Sequence, residues 1–367
     1  MKKYDIAAYI WPAYTGDEPR ARIFWEEGIG EWQTVKNAKP KACGHNWDRK
    51  PVWGYVNEAD PYVMEMQINA AVNHGVNVFI YDWYWYDNRP FLENCLNDGF
   101  LKASNSNLMK FYIMWANHNA NHLWDVRNSD NVNETIWSGV VDRNQFEIIG
   151  KRWIELYFTK ENYYKIDNKP VVSIFDLNNF IMSFGGVKQA TEAMEWLDNE
   201  AKKFGLDGVH FQSVRLNVRR RNITGVDGTT IEITPEFIQK MGFASLTHYQ
   251  FAHFIDMDND YLEIIPDVRK EWDIISKEHK IPYFPHVSVG WDNSPRFKNF
   301  VGSVMKNNTP ENFEKMLREV KKHADENDVS LITVNSWNEW TETSYLQPDN
   351  VYEYGYLEAI RKVFCNI

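Results

Sequence analysis

The sequence predicts an α/β chain folded as a (β/α)8 TIM-type barrel, one domain across residues 1–367 with long βα loops. Eight short apolar runs alternate with helical patterns from end to end, the order expected of a parallel sheet with helical crossovers. A chain of 367 residues has the length for one such barrel. Polar and aromatic clusters follow the first, second, third, fourth, sixth, seventh and eighth runs, at the strand ends where barrel sites form. Loss of one or two runs would leave an open doubly wound sheet, the competing architecture. No Gly-x-Gly-x-x-Gly or phosphate-loop pattern follows any strand, which weakens nucleotide binding.

The first strand is Asp5–Ile10, closing on Trp11-Pro12. Residues Gly16–Tyr55, rich in Gly, Pro and Trp, read as a long loop. A helix over Pro61–His74 is started by the Asp60-Pro61 cap and stopped by Gly75. Val76–Tyr81 is apolar throughout, as a strand covered on both faces should be, and it releases Asp82-Trp83-Tyr84-Trp85. A helix around Pro90–Leu101 precedes the third strand, Lys110–Trp115, which ends in Ala116-Asn117-His118-Asn119. An amphipathic helix over Asn144–Phe158 leads to strand Pro170–Ile174, ending in Phe175-Asp176. Helix Val187–Phe204 stops at Gly205, and Gly208–Ser213 is the fifth strand. Arg215–Thr230 reads as an inserted loop. Helix Pro235–Gly242, strand Ala244–His248, helix Ile264–His279 and strand Tyr283–Val289 follow, the last ending in Gly290-Trp291-Asp292-Asn293-Ser294. Helix Glu311–Asn327, strand Leu331–Val334 and helix Tyr352–Phe364 close the pattern.

Composition narrows the partners. The net charge of −11 argues against nucleic acid or an anionic membrane surface. The one basic run, Arg215–Arg221, is a short solvated loop or an anion contact. Cys43, Cys95 and Cys365 lack metal spacing and cannot all pair, so no disulfide framework is expected. No run approaches a membrane span, and the N-terminus lacks a sustained apolar stretch, so a cytoplasmic protein is the default expectation. Aromatics reach 15%, including 16 Trp, and clusters such as Tyr81–Tyr86 cannot all be core. Part of that excess suits an oligo- or polysaccharide substrate. No cofactor is expected, and the sequence leaves the oligomeric state open.

The chemistry concentrates after the eighth strand, in Asn335-Ser336-Trp337-Asn338-Glu339-Trp340-Thr341-Glu342. Glycoside cleavage needs two carboxyls flanking one bond, roughly 5–5.5 Å apart for retention or 6.5–9.5 Å for inversion. In a helical turn, residues at i and i+3 share a side, with Cβ atoms about 5–6 Å apart. Glu339 and Glu342 have that spacing, and a solvated turn would not carry Trp337 and Trp340 around them. They are the catalytic candidates, Glu342 as general acid and Glu339 as base or nucleophile. Asp82 either binds a sugar hydroxyl, serves as a third carboxylate, or makes a structural hydrogen bond. Asp292 has the same choices, and for Asp176 the structural one is favoured. His118, His248 and His286 end strands three, six and seven; sugar hydrogen bonding is the preferred role, zinc the lesser, so no metal is assigned. Trp83, Trp85, Trp115, Trp291 and Trp337 are stacking candidates, at least two of them core. Asn117 joins them in the loop after strand three. Asn338 either holds a carboxylate or sugar hydroxyl or shapes the turn. Glu31 and Trp32 cap the barrel or touch substrate.

Those residues, in order, resemble the glycoside hydrolase family 99-like proteins, which include WbsX-type proteins of polysaccharide gene clusters and are related to endo-α-mannosidases. The matching stretches are Gly30-Glu31-Trp32, Gly44-His45, Trp115-Ala116-Asn117, Gly290–Arg296, Trp337–Glu342 with Leu346 and Pro348, and Tyr354–Leu357. The resemblance implies a barrel glycosidase acting on an α-linked glycan, mannose-containing in the endo-α-mannosidases. It also implies retention without a conventional glycosyl-enzyme: Glu339 deprotonates the 2-hydroxyl, which closes on the anomeric carbon, while Glu342 protonates the leaving oxygen. Three departures bear on the sugar. His118 stands where a glutamate is common, Thr343 where a glycine is, and Gln347 where a glutamate precedes Pro348. A polysaccharide glycosyltransferase and a non-catalytic carbohydrate-binding barrel are the alternatives.

Overall fold

The computed structural model describes residues 3–365 apart from 17, 43, 44, 46, 217–221, 225–227, 229 and 301. Cys43, Gly44 and most of the basic run therefore lie outside the described residues. Eight parallel strands form the frame: β1 (Asp5–Ile10), β2 (Val78–Tyr86), β3 (Lys110–Trp115), β4 (Lys169–Ile174), β5 (His210–Val214), β6 (Ser245–Thr247), β7 (His286–Ser288) and β8 (Leu331–Asn335). They neighbour one another in the order β6-β5-β4-β3-β2-β1-β8-β7. A parallel bridge between Leu246 and Tyr283, with backbone bonds Leu246 N to Pro282 O (2.9 Å) and Phe284 N to Leu246 O (2.8 Å), draws the ends together. The barrel is nearly closed, and the open-sheet alternative falls away.

Nine α-helices are described: α1 (Trp32–Asn37), α2 (Pro61–Asn73), α3 (Arg143–Trp153), α4 (Leu177–Ser183), α5 (Val187–Lys202), α6 (Pro235–Lys240), α7 (Ile265–Glu278), α8 (Pro310–Glu326) and α9 (Gly355–Phe364). Their starts follow from capping chemistry. Asp60 accepts from Tyr62 N ahead of Pro61, and Thr309 accepts from Asn312 N ahead of Pro310. On α8 the buried set Phe313, Met316, Leu317, Val320 and Ala324 keeps the three-and-four spacing of one apolar stripe. All nine residues of β2 are buried, as a strand between barrel interior and helix layer must be. Among the described residues no helix is long and apolar enough to cross a membrane.

Two differences from expectation matter for the site. β2 does not end at Tyr81 but runs to Tyr86 and folds back onto Arg89–Phe91, so Asp82–Trp85 lie within the strand. Asp87 and Asn88 make the turn with φ of 51° and 59°, the left-handed pair that a two-residue hairpin requires. That hairpin displaces the helix expected over Pro90–Leu101, leaving a π-helical turn at Cys95–Gly99 and a 3-10 turn at Phe100–Lys102. The stretch after β5, expected as plain loop, carries a short hairpin, Asn222–Thr224 with Thr230–Glu232.

One polar cluster in the barrel interior pairs with itself. Thr333 Oγ1 shares hydrogen bonds with Thr247 Oγ1 (2.9 Å) and His286 Nδ1 (3.0 Å), while His286 Nε2 meets Ser288 Oγ at 3.0 Å. Pairing of this kind keeps buried polar groups from the cost of desolvation without a partner.

Candidate active site

β8 delivers the chain to a tight corner. Ser336 Oγ donates to Ser344 O (2.7 Å) and accepts from Glu339 N (2.6 Å), and Asn338–Glu339 pairs antiparallel with Ser344–Tyr345. Between them Trp340–Glu342 forms one 3-10 turn, ended by Thr343 at φ 53°. Glu339, with φ −77° and ψ 67°, stands outside that turn, so the pair is brought together by the corner and not by the expected helical turn.

Both carboxylates converge on one side chain that carries no assignment in the sequence reading. Arg296, on the 3-10 turn Ser294–Arg296 after β7, donates from Nη2 to Glu339 Oε1 (2.5 Å) and from Nη1 to Glu342 Oε1 (2.7 Å). Its Nε donates to Glu31 Oε1 at 3.1 Å. Arg296 and Glu339 are each 3% exposed and Glu31 is 0% exposed. Trp11 Nε1 adds a 2.5 Å bond to Glu31 Oε2. Glu31 reaches this point because Gly30, at φ +58°, lets the loop press against β1's extension; a Cβ there would sit 1.9 Å from Ala13 O. The β7 loop is fixed in turn by Asp292, which accepts from Ser294 N (3.0 Å), pairs with His45 Nε2 (2.8 Å) and donates its own N–H to Glu342 O (2.7 Å).

Electrostatics follow from one cation among many acids. Burial alone would lower Arg296, yet Glu31, Glu339 and Glu342 hold it well above its ordinary value, so it stays charged. Burial pushes Glu339 well up and Glu342 up; Arg296 offsets both, while neighbouring carboxylates add to the rise. Glu342 is among the charges that raise Glu339, so the two protonations are not independent. Burial likewise raises Asp82 well above the carboxylate range, against the hydrogen bond from Tyr249 (3.0 Å). Glu339 Oε2 and Asp82 Oδ1 have no partner within the protein.

These groups line a cavity of about 290 Å³ at the C-terminal mouth of the barrel, walled by Trp11, Tyr84, Trp124, Phe175, Tyr249 and Trp291. Of the residues expected to form the site, Glu339, Glu342, Asp82, His118 and Trp291 line it. Trp83 and Trp85 do not: strand alternation sends Asp82 and Tyr84 inward and turns the two indoles out, toward Glu93 (2.8 Å) and Gln145 (3.2 Å). Trp115 is packed against Phe146, Trp153 and Phe180. Asn117 ties the β3 and β4 loops by exchanging 2.7 Å bonds with the Asp176 backbone. Asp176 caps α4. His286 is enclosed in the barrel interior, and His248 faces Tyr283 OH (2.8 Å) and Phe254. Trp337 and Asn338 lie behind the carboxylates, and Asp292 lies beside them. Arg296 lines the cavity from the end of the Gly290–Arg296 stretch, which gave it no role, and Trp11, Tyr84, Trp124, Phe175, Tyr249, Gln250 and His253 line it without a motif to single them out. The signal of these seven is position alone, just past β1, β4 and β6, near the end of β2 and in the β3 loop. A larger cavity of about 690 Å³ opens beside Lys169, His210 and Ala244, at the opposite rim, and holds none of these groups. Among the described residues no cluster of His, Cys, Asp or Glu could hold a metal ion.

The family model described as glycosyltransferase WbsX matches residues 6–360, nearly the whole chain. The chain belongs to the WbsX family. Two curated relatives, uncharacterized proteins WxcX from two strains of Xanthomonas campestris pv. campestris, are each 23% identical over 350 residues, 94% of this chain. The alignment takes in 47% of their length, so this WbsX chain spans about half of the relatives it matches. A GH99 endo-α-mannosidase from Bacteroides thetaiotaomicron, in complex with bis-tris-propane, superposes with a TM-score of 0.61 at 13% identity, over 98% of this chain and 95% of that one. A glycoside hydrolase-like protein gives 0.61 at 13% identity over 99% and 94%. A β-glucosidase from Thermotoga maritima gives 0.52 at 10% identity over 98% and 97%. At these identities the WbsX chain shares their barrel, which is the glycoside hydrolase-like fold.

Proposed function

We propose that this protein is a retaining glycoside hydrolase for an α-linked glycan, a mannose-containing one being the first to try. The observation that carries the reading is that Glu339 and Glu342 share the Arg296 guanidinium inside an aromatic-walled cavity at the barrel mouth. In the proposed reaction Glu339 takes the proton of the 2-hydroxyl as that oxygen attacks the anomeric carbon. Glu342 gives its proton to the departing glycosidic oxygen. Water then opens the anhydro sugar from the same face as the departed group, losing a proton to Glu342 while Glu339 returns one to O2. Each carboxyl ends as it began. Burial raises both carboxyls above their ordinary value, the direction a general acid requires. Asp82 and His118 are assigned to sugar hydroxyls and Trp291 to stacking.

The family description favours a second reading, transfer from an activated sugar. A diphosphate donor needs unspent cationic or backbone N–H groups. Among the described residues lining this cavity Arg296 is the one Lys or Arg, and three carboxylates already occupy it. That balance favours hydrolysis. The test is a screen of α-mannans and bacterial polysaccharides with product NMR, followed by Glu342→Gln. Loss of roughly 10²–10⁴-fold in kcat with folding intact supports the acid role. An unchanged rate in the variant removes it.

A further inference from the structure

We propose that Glu58, which no sequence motif marks, is the positioning residue for the Glu339–Glu342 pair. It acts through an acceptor hub that orders both tryptophans of the motif. The role assigned to the pair rests on the glycosidase reading; the hub itself does not.

The hydrogen-bond polarity can be followed from the outside in. An indole N–H can only donate. Trp337 Nε1 donates to Gln67 Oε1 (2.8 Å) and Trp340 Nε1 to Gln347 Oε1 (2.6 Å), which fixes both amides. Their Nε2 groups then point at one atom, Glu58 Oε1, at 3.0 and 2.7 Å. Asn338 is fixed the same way, because Trp11 N donates to its Oδ1 (2.8 Å); its Nδ2 therefore turns to Trp11 O (2.9 Å) and Glu58 Oε2 (2.8 Å). Three amide donors thus face one carboxylate that is 0% exposed. Glu58 is itself held by its N–H to Tyr14 O (2.8 Å) and by close passage over Gly99, where a Cβ would lie 2.1 Å from Glu58 O.

The hub grips residues 337, 338 and 340 from behind while 339 and 342 face the cavity. No other acceptor in the network could replace the carboxylate. An amide at 58 would set one of its own N–H groups against those of Gln67, Gln347 or Asn338, and a buried donor facing donors is left unpaired. The geometry also contains its own rescue. If the carboxylate moves to position 347 and the amide to position 58, the new carboxylate can accept from Trp340 and from the new amide. The oxygen of that amide then accepts from Gln67 or Asn338.

The experiment is a double-mutant cycle of Glu58→Gln and Gln347→Glu on the whole chain. It reads the thermal midpoint, the near-ultraviolet circular dichroism of the indoles, and kcat and KM on the glycan the unmodified protein cleaves. Each single change is expected to lower the midpoint and reduce kcat by up to about 10²-fold with KM little altered, since small misplacement of reacting groups costs that much. The pair of changes together should recover most of all three. Neutral single variants overturn the proposal. A double variant that stays as impaired as the singles, or does not fold, also overturns it. If the unmodified protein cleaves no glycan, the glycosidase reading fails, while the midpoint and dichroism arms still decide whether Glu58 orders the indoles.

Discussion

At the scale of single residues, the site is a problem in charge balance. Arg296 meets Glu31, Glu339 and Glu342 with almost no water to share the field. Removing one partner of a buried ion pair costs about 3–5 kcal/mol, because the others are left uncompensated. Arg296→Met should therefore destabilise the protein by about that amount at pH 7. Without the cation that offsets their burial, Glu339 and Glu342 bind protons more tightly in the fold than in the unfolded chain. The deficit should shrink as pH falls toward 4.5, read by urea unfolding at each pH; a deficit that grows on acidification would refute the charge-balance account. Glu58 makes a separate pH prediction. Burial pushes its carboxyl up to about 7, against the pull of Gln67, Gln347 and Asn338. The folded state then holds the proton more tightly than the unfolded one. Its stabilising contribution is present below the unfolded carboxylate value and is lost as pH rises through about 7, roughly 3 kcal/mol in total. Tyr14, Tyr81 and Cys95 face it and stay neutral across that window, each raised chiefly by burial. Denaturant midpoints from pH 4.5 to 8 should fall in the unmodified protein and less in Glu58→Gln.

At the scale of elements, β2 shows how the site is partly legible in the sequence and where legibility stops. The apolar run Val76–Tyr81 is readable as a strand, but the aromatic Asp82–Tyr86 extension reads as loop. Loop residues can all face one way, whereas strand residues cannot. Once the strand continues, alternation alone decides that Asp82 and Tyr84 face the cavity while Trp83 and Trp85 stack in the helix layer with centroids 5.8 Å apart. The turn that forces this, Asp87-Asn88, takes its left-handed pair of φ values without the glycine that marks such a hairpin in a sequence. The Glu-x-x-Glu spacing after β8 is legible because both groups share one corner. The roles of Glu31, Glu58 and Arg296 are not, since their partners lie up to 289 residues away in sequence. The alternation makes a paired prediction. Trp83→Ala should cost about 3–5 kcal/mol of stability and leave KM near its original value, because it empties packing behind the strand. Tyr84→Ala should raise KM or lower kcat at least as strongly as it lowers stability. Melting curves and steady-state kinetics on both variants separate the two faces, and an equal effect on KM would contradict the assigned directions.

At the scale of the whole molecule, electrostatics act on a substrate twice, at long range and inside the cavity. The chain carries a net charge of −11, which repels polyanions at long range and is screened within about 10 Å at 0.1 M salt. Asp82, Glu339 and Glu342 line the cavity, and Arg296, the one Lys or Arg among its described lining residues, is already spent on carboxylates. An anionic sugar enclosed there would lose its hydration with no unspent Lys or Arg among the described lining residues to pair with it, and buried groups are screened far less than surface ones. The substrate should therefore be a neutral glycan. For a matched pair of polysaccharides differing only in hexose against hexuronic acid at the cleaved position, kcat/KM should favour the neutral one by more than roughly tenfold. Raising salt from about 0.05 to 0.5 M should recover only the long-range part, seen as faster capture of the acidic polymer at low concentration. A residual preference for the neutral sugar must persist at high salt, because it comes from desolvating an anion in a cavity with no unspent cation for it. Equal cleavage of the two polymers at low salt would mean that an anionic group finds a cation here, and the same finding would reopen transfer from a phosphorylated donor.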